Sequence, residues 1–242
     1  MKLDRAEEHF SALQNAVVEY IKVCPSKIHC ELDMSTGTWY VFDKLPQPSL
    51  TIAVLAGDFI HNLRSSLDHL AGELVRRSGG TPGLDTHFPI LKVRPTANAA
   101  GTSSPPHVAG GVSDAVLVEL DRIQPYQFGD AYEGHPLWIL NRLWNTDKHS
   151  LLLTGPVWLT NSYVAQDAIS GGIRGHLQRW GATGDASEYS FTPDDGAVGV
   201  SGNASLQVSF SEGTPYPGRG VMETLSWVNE ETRAAVDQLS TL

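Results

Sequence analysis

The sequence predicts an α+β fold, a helical-bundle core with an N-terminal β-hairpin and a C-terminal antiparallel sheet. Three observations carry that expectation. From Ala56 to Leu74 apolar residues recur at three- and four-residue steps, the spacing of a helix with one buried face. Residues 27–43 alternate polar and apolar around a Ser35-Thr36-Gly37 turn. Beyond Ser150 the chain becomes short β-forming runs separated by Gly, Asn and Asp, the texture of an antiparallel sheet. With 242 residues, 41% of them hydrophobic, the chain reads as one elaborated domain, 1–242. Within it, 1–150 is mainly helical with the hairpin at 27–43, 151–212 is β-rich, and 219–240 holds a last helix.

In chain order, residues 3–23 predict a first helix, with Phe10, Leu13, Val17, Tyr20 and Ile21 on one face and Asp4, Glu7 and Glu8 near its start. Pro25 ends it, the hairpin follows, and Pro46-Gln47-Pro48 forms a stiff connector. Ser49 is the expected N-cap of a long helix over 49–78. Gly79-Gly80 stops that helix, and Arg76 and Arg77 complement its dipole. Thr81 to Gly111 is a Pro/Gly/Ser-rich loop whose one anchor, His87-Phe88-Pro89-Ile90, lies extended against the core, with Thr96 to Gly111 as its mobile part. A short helix over 113–123 turns Val116, Leu117, Leu120 and Ile123 inward. A longer one over 136–149 begins at Pro136, a favourable first-turn residue, and buries Leu137, Leu140, Leu143 and Trp144. Strand-like runs fall at 151–154, 157–160, 163–165, 190–192, 197–200 and 206–210. The final helix, 223–239, presents Leu225, Val228, Val236 and Leu239.

A formal charge of −10 excludes non-specific binding to DNA or to an anionic membrane, because the long-range field repels phosphates. No apolar run approaches the 18 or so residues of a membrane span, and the acidic start lacks a secretory core, so a cytoplasmic location is expected. Cys24 and Cys30 alone make neither a disulfide framework nor a zinc knuckle.

Chemistry concentrates on the long helix. Opposite its apolar face stand Asp58, His61, Asn62, Ser65, Asp68 and His69, with Arg64 at the edge. A solvated face ordinarily draws on Lys, Glu and Gln, which favour helix; His, Asn, Ser and Asp are poorer helix formers and better suited to a site. Arg64 and His69, five residues apart, sit roughly 140° from each other around the axis and can flank a groove.

This spacing resembles the Arg-x4-His motif of the HEPN superfamily, helical-bundle proteins that often act as metal-independent ribonucleases in toxin and phage-defence systems. The resemblance implies RNA as substrate, a homodimer pairing two such helices, and no cofactor. Arg64 would then hold the scissile phosphate and His69 act as general acid or base. Asn62 and Asp68 would orient them, with His61 beside them. Here Ser65 follows the arginine, where that superfamily commonly has Asn, Asp or His.

A second set of residues, Leu143-Trp144-Asn145-Thr146-Asp147-Lys148-His149, extends the pattern. Read with 57–69 and His87-Phe88-Pro89-Ile90, it is similar to a widespread uncharacterised bacterial protein family with the layout LRSxLDHL…FPI…NxDKH. That likeness covers about two thirds of the chain and brings no function with it. The helical angle puts Asp147 among the leucines, where an inward carboxylate needs a cation, and Arg64 is the natural candidate. Asn145, Lys148 and His149 would support the site at its mouth. Two rivals stay open: a non-catalytic protein that binds a small anion or a partner through a structural polar network, and a metal-dependent enzyme using Asp58, His61, His69 and His149.

Overall fold

The computed structural model describes residues 2–24, 45–96, 108, 111–156 and 206–242. Over these the chain is mainly helical, with 64% of the described residues in helix. Five α-helices run in order: α1 Lys2–Val23, α2 Leu50–Arg77, α3 Asp114–Arg122, α4 Pro136–Asp147 and α5 Val221–Ser240. A 3-10 segment, Pro125–Gly134, links α3 to α4 and kinks at Gly129, where φ is 57°.

This corrects the expected α+β class. The described sheet is a two-stranded antiparallel ribbon, residues 154–156 (β1) against 206–210 (β2). The hairpin expected over 27–43 falls on residues outside the described ones, as do the strand-like runs between 157 and 205. The physical reason is that period-two alternation over four or five residues is a local signal. A sheet is made by cross-strand partners that no local pattern specifies.

The contacts divide the chain into two compact units, where the sequence reads as one domain. The first comprises Met1–Leu13, Val54–Leu152 and Met222–Leu242, and the second Gln14–Ala53 and Leu153–Val221. In the first unit α2 is the central element. Its predicted apolar face is buried throughout, at Ala56, Ile60, Leu63, Leu67, Leu70 and Leu74, and burial widens to Phe59, Ala71 and Val75. At about 1.5–3 kcal/mol for each large apolar side chain removed from water, this face holds the unit together. The Phe10 and Phe59 rings meet at 5.0 Å between α1 and α2. From α5, Arg233 reaches Glu7 at 2.7 Å, and Arg77 at the end of α2 donates to Ser240 O at 2.8 Å. Gly79, with φ 83°, ends α2 in the left-handed region, and the Gly80 N–H closes onto Val75 O.

In the second unit the Tyr20 hydroxyl donates to Pro46 O at 2.7 Å, and Ser49 Oγ accepts the Thr51 N–H at the start of α2, as its N-cap role predicts. Thr154, Gly155 and Pro156 pair with Phe210, Ser209 and Val208. Val208 and Phe210 are fully buried.

Candidate functional site

The site lies within the first unit, where α2, the 86–91 segment and α4 meet. The middle turns of α2 bring Arg64 and Asp68 onto one stripe, four residues apart, because that spacing closes one helical turn. Arg64 is only 4% exposed. Its Nη1 stands 2.7 Å from Asp68 Oδ1, and its Nη2 donates to Phe88 O at 3.0 Å. Asp68 Oδ1 in turn accepts the Phe88 N–H at 3.0 Å. One residue of extended chain is thus gripped at both backbone groups by an ion pair from a single helix.

The same segment is fastened a second time. Gln124, fully buried, donates through Nε2 to Pro89 O at 3.0 Å and accepts the Leu91 N–H at Oε1 at 2.9 Å. Residues 88–91 therefore form a strap without a strand partner, its backbone satisfied by side chains instead of a ladder, and Phe88 itself is fully buried. The expectation that this segment lies extended against the core finds its cause here.

From α4 comes the third wall. The Trp144 ring lies 5.2 Å from the Arg64 guanidinium carbon, and the Lys148 ammonium sits 3.1 Å from the same ring's centroid. Arg64, Asp68, His87, the strap, Asn141 and Trp144 line a half-open cavity of about 320 Å³. Three nitrogens of its lining residues, Arg64 Nε and Nη1 and Trp144 Nε1, are buried with no hydrogen-bond partner among the described residues, and of these Nη1 has the ion-pair contact with Asp68. Burial pulls the Arg64 pKa below its ordinary value, with the Asp68 charge and hydrogen bond opposing. Lys148 is lowered too, by burial first and then by the Arg64 charge. The two cations therefore feel each other, and the single Asp68 charge works against the lowering of both.

The expected pairing of Arg64 with Asp147 is not formed. Asp147 meets α2 at Gly57, seven residues or about two turns before Arg64, so close that a Cβ on Gly57 would lie 2.4 Å from Asp147 Oδ1. Burial and the nearby Asp58 charge raise the Asp147 pKa, and His61 works against them. Asp58 also has His9 from α1 at 3.9 Å. Arg64 found its partner one turn along its own helix instead, which costs less ordering than a reach between helices.

Other candidate residues fall away from the cavity. His69 is exposed and does not line it, so Arg64 and His69 are not brought together in this chain. His61 is exposed, with Nε2 3.5 Å from Ser65 Oγ. Asn62 is buried and donates to Asp58 O at 2.8 Å, which satisfies it within its own helix. Asn145 and His149 are exposed. The alternative metal set of Asp58, His61, His69 and His149 does not assemble: among the described residues no three His, Cys, Asp or Glu side chains are grouped to hold a metal ion. Residues to which the sequence reading gave no role at the site are Asn141, Gln124 and Trp144, the last quoted within the second residue set but assigned to the apolar face. His87 was seen as part of an anchor but not as a cavity wall.

The three blocks of the LRSxLDHL…FPI…NxDKH layout thus converge physically. Arg64 and Asp68 hold Phe88, and the Trp144–Lys148 stack covers Arg64. No helix among the described residues is long and apolar enough to cross a membrane. No protein-family model matches the chain, and neither a curated protein nor a solved structure matches it significantly.

Proposed function

We propose that this chain is a non-catalytic binding protein that takes a small anion in the cavity beside Arg64. The observation that carries this reading is a buried guanidinium whose Nε and Nη1 have no hydrogen-bond partner among the described residues, Nη1 touching only Asp68, next to another unpaired donor, Trp144 Nε1. An unmade hydrogen bond on a buried donor costs about 1–3 kcal/mol. A ligand acceptor that reaches these groups recovers that cost, and the excess of Arg64 and Lys148 over Asp68 favours a negative one. Arg64 is held in place by Phe88 O and Asp68, so its orientation is set before any ligand arrives.

The ribonuclease reading asks Arg64 and His69 to act on one phosphate. Arg64 is buried and committed to the strap, while His69 is exposed and outside the cavity. The binding reading uses the arginine where it stands.

Thermal denaturation against a panel of small anions at constant ionic strength tests the proposal. At about 100 times its Kd a ligand stabilises by about 2.7 kcal/mol, or about 5 °C or more in Tm for a chain of this size. The expected result is a saturable rise with at least one anion, lost in a folded Arg64→Lys variant. A panel with no saturable rise sinks the proposal. So does RNA cleavage in EDTA that disappears on replacing Arg64 or His69, which would return the site to the ribonuclease reading.

A further inference from the structure

We infer that the anion is a small carboxylate on an apolar body, such as an aromatic or branched-chain acid; this rests on the anion-binding reading above. The charge count comes first. Arg64 and Asp68 are in contact at 2.7 Å, and Lys148, exposed on the Trp144 ring outside the cavity lining, adds a second cation nearby, so these three groups carry one net positive charge. A single negative charge balances it. A phosphate dianion would set a second negative charge beside Asp68.

Donor count gives the same answer. Arg64 Nη1 meets Asp68 in an ion pair without hydrogen-bond geometry and Nη2 donates to Phe88 O, so Nε is the nitrogen of the fork with neither kind of contact. Trp144 Nε1 is the other donor without a partner. Two N–H groups match the two oxygens of a carboxylate, a group that only accepts when ionised. Phosphate recognition ordinarily gathers more donors than this.

The wall selects the body of the ligand. Phe88 N, Phe88 O, Pro89 O and Leu91 N, the strap's polar groups nearest the site, are already bonded to Asp68, Arg64 and Gln124. A sugar here would have only the Asn141 and His87 side chains to meet its several hydroxyls, whereas an apolar ring or branched chain needs no partners and lies against Phe88, Pro89, Ile90 and Leu91. The volume, about 320 Å³, lies at the lower end of small-molecule sites.

The test is calorimetric titration of the whole chain with benzoate, 3-methylbutanoate, benzyl alcohol, inorganic phosphate and ribose 5-phosphate. At least one carboxylate is expected to bind tenfold or more tighter than either phosphate and than benzyl alcohol. Trp144→Phe keeps the ring and removes the N–H, so carboxylate affinity should fall about fivefold in a variant with unchanged circular dichroism. If that variant fails to fold, Ile90→Trp fills the cavity from the strap without altering either donor and should abolish carboxylate binding. Phosphate binding as tight as carboxylate overturns this inference and leaves the anion reading standing. Benzyl alcohol equal to benzoate, or no binding by any anion, overturns both. Full carboxylate affinity in folded Trp144→Phe or Ile90→Trp overturns the assignment to this cavity.

Discussion

Two polar contacts on α2, about two turns apart, treat charge in opposite ways. At Arg64 a cation is buried and given work: it closes an ion pair with Asp68 and takes the carbonyl of Phe88, so its desolvation is offset by fastening a segment that has no ladder. At Gly57 the Asp147 carboxylate lies against bare helix backbone, half-buried, near the like charge of Asp58. The first arrangement depends on ionisation. The second is merely tolerant of it. A buried charge is well used where it organises backbone and poorly used where it only fills a notch, and the two sites should respond differently to mutation and pH.

The largest expected effect is Arg64→Met. It leaves Phe88 O unpaired and Asp68 without its cation, and breaking such a pair typically costs about 3–5 kcal/mol. Urea denaturation measures it. The Arg64→Met/Asp68→Leu double variant should recover part of the loss, because an apolar pair leaves no orphaned charge. Strict additivity of the two single losses would show that the residues do not act as a unit.

Next comes His135, which caps the helix that carries both Trp144 and Asp147. The side chain is 4% exposed, its Nδ1 accepts the Leu137 N–H at 3.2 Å, and its ring meets Phe128 edge-on at 4.7 Å. Burial depresses its pKa from 6.5 to about 4. A histidine depressed in the folded state keeps its full stabilisation above the unfolded value and loses it as pH falls. Stability should therefore decline between pH 6.5 and about 4, by at most about 3 kcal/mol. His135→Asn retains a cap and does not titrate, so most of that slope should vanish in denaturation curves taken across this range. An unchanged slope would place the titrating group elsewhere.

Much of the helical frame was legible in the sequence, since α1, α2, α3, α4 and α5 follow from apolar periodicity with Ser49, Ser113, Gly79 and Pro136 marking ends. The 3-10 segment Pro125–Gly134 was not: ten residues of three-residue turns leave no 3.6-residue stripe. At the site, Asp68 was legible as a residue that orients Arg64, because i,i+4 neighbours are local. The Phe88 contacts and the Gln124 latch join residues 20 to 35 positions apart through backbone groups, which carry no sequence signature. Trp144 was assigned to the core by its apolar character, and only its burial beside Arg64 shows that it belongs to a polar site as well. Asp147 was correctly read as turned inward, but a helical angle gives direction and not partner.

Smaller effects test the notch. Gly57→Ala brings a methyl to within 2.4 Å of Asp147 Oδ1, and either the carboxylate or α4 must give way. Overpacking of this kind costs about 1–3 kcal/mol, offset by whatever helix propensity alanine contributes. Adding Asp147→Ala removes the obstructing atoms and should return most of the loss. Failure to do so would mean that the glycine is needed for a reason other than this contact.

The smallest expected effect is Asp147→Asn, and its sign separates the two sites most cleanly. Because burial and Asp58 raise the Asp147 pKa, the folded chain holds this proton more tightly than the unfolded one. The stabilisation is complete below the unfolded value of 3.8 and is lost as pH rises through the folded value, so at neutral pH the ionised group is a small liability. The neutral amide removes it. Asp147→Asn should gain a few tenths of a kcal/mol near pH 7, the group being solvent-screened in part, and gain nothing near pH 3. At the other site Asp68→Asn removes the charge that Arg64 requires and should destabilise at neutral pH. Opposite signs from the same substitution at the two contacts are what a fastening charge and a tolerated one predict; equal losses at both would make Asp147 a fastening charge too.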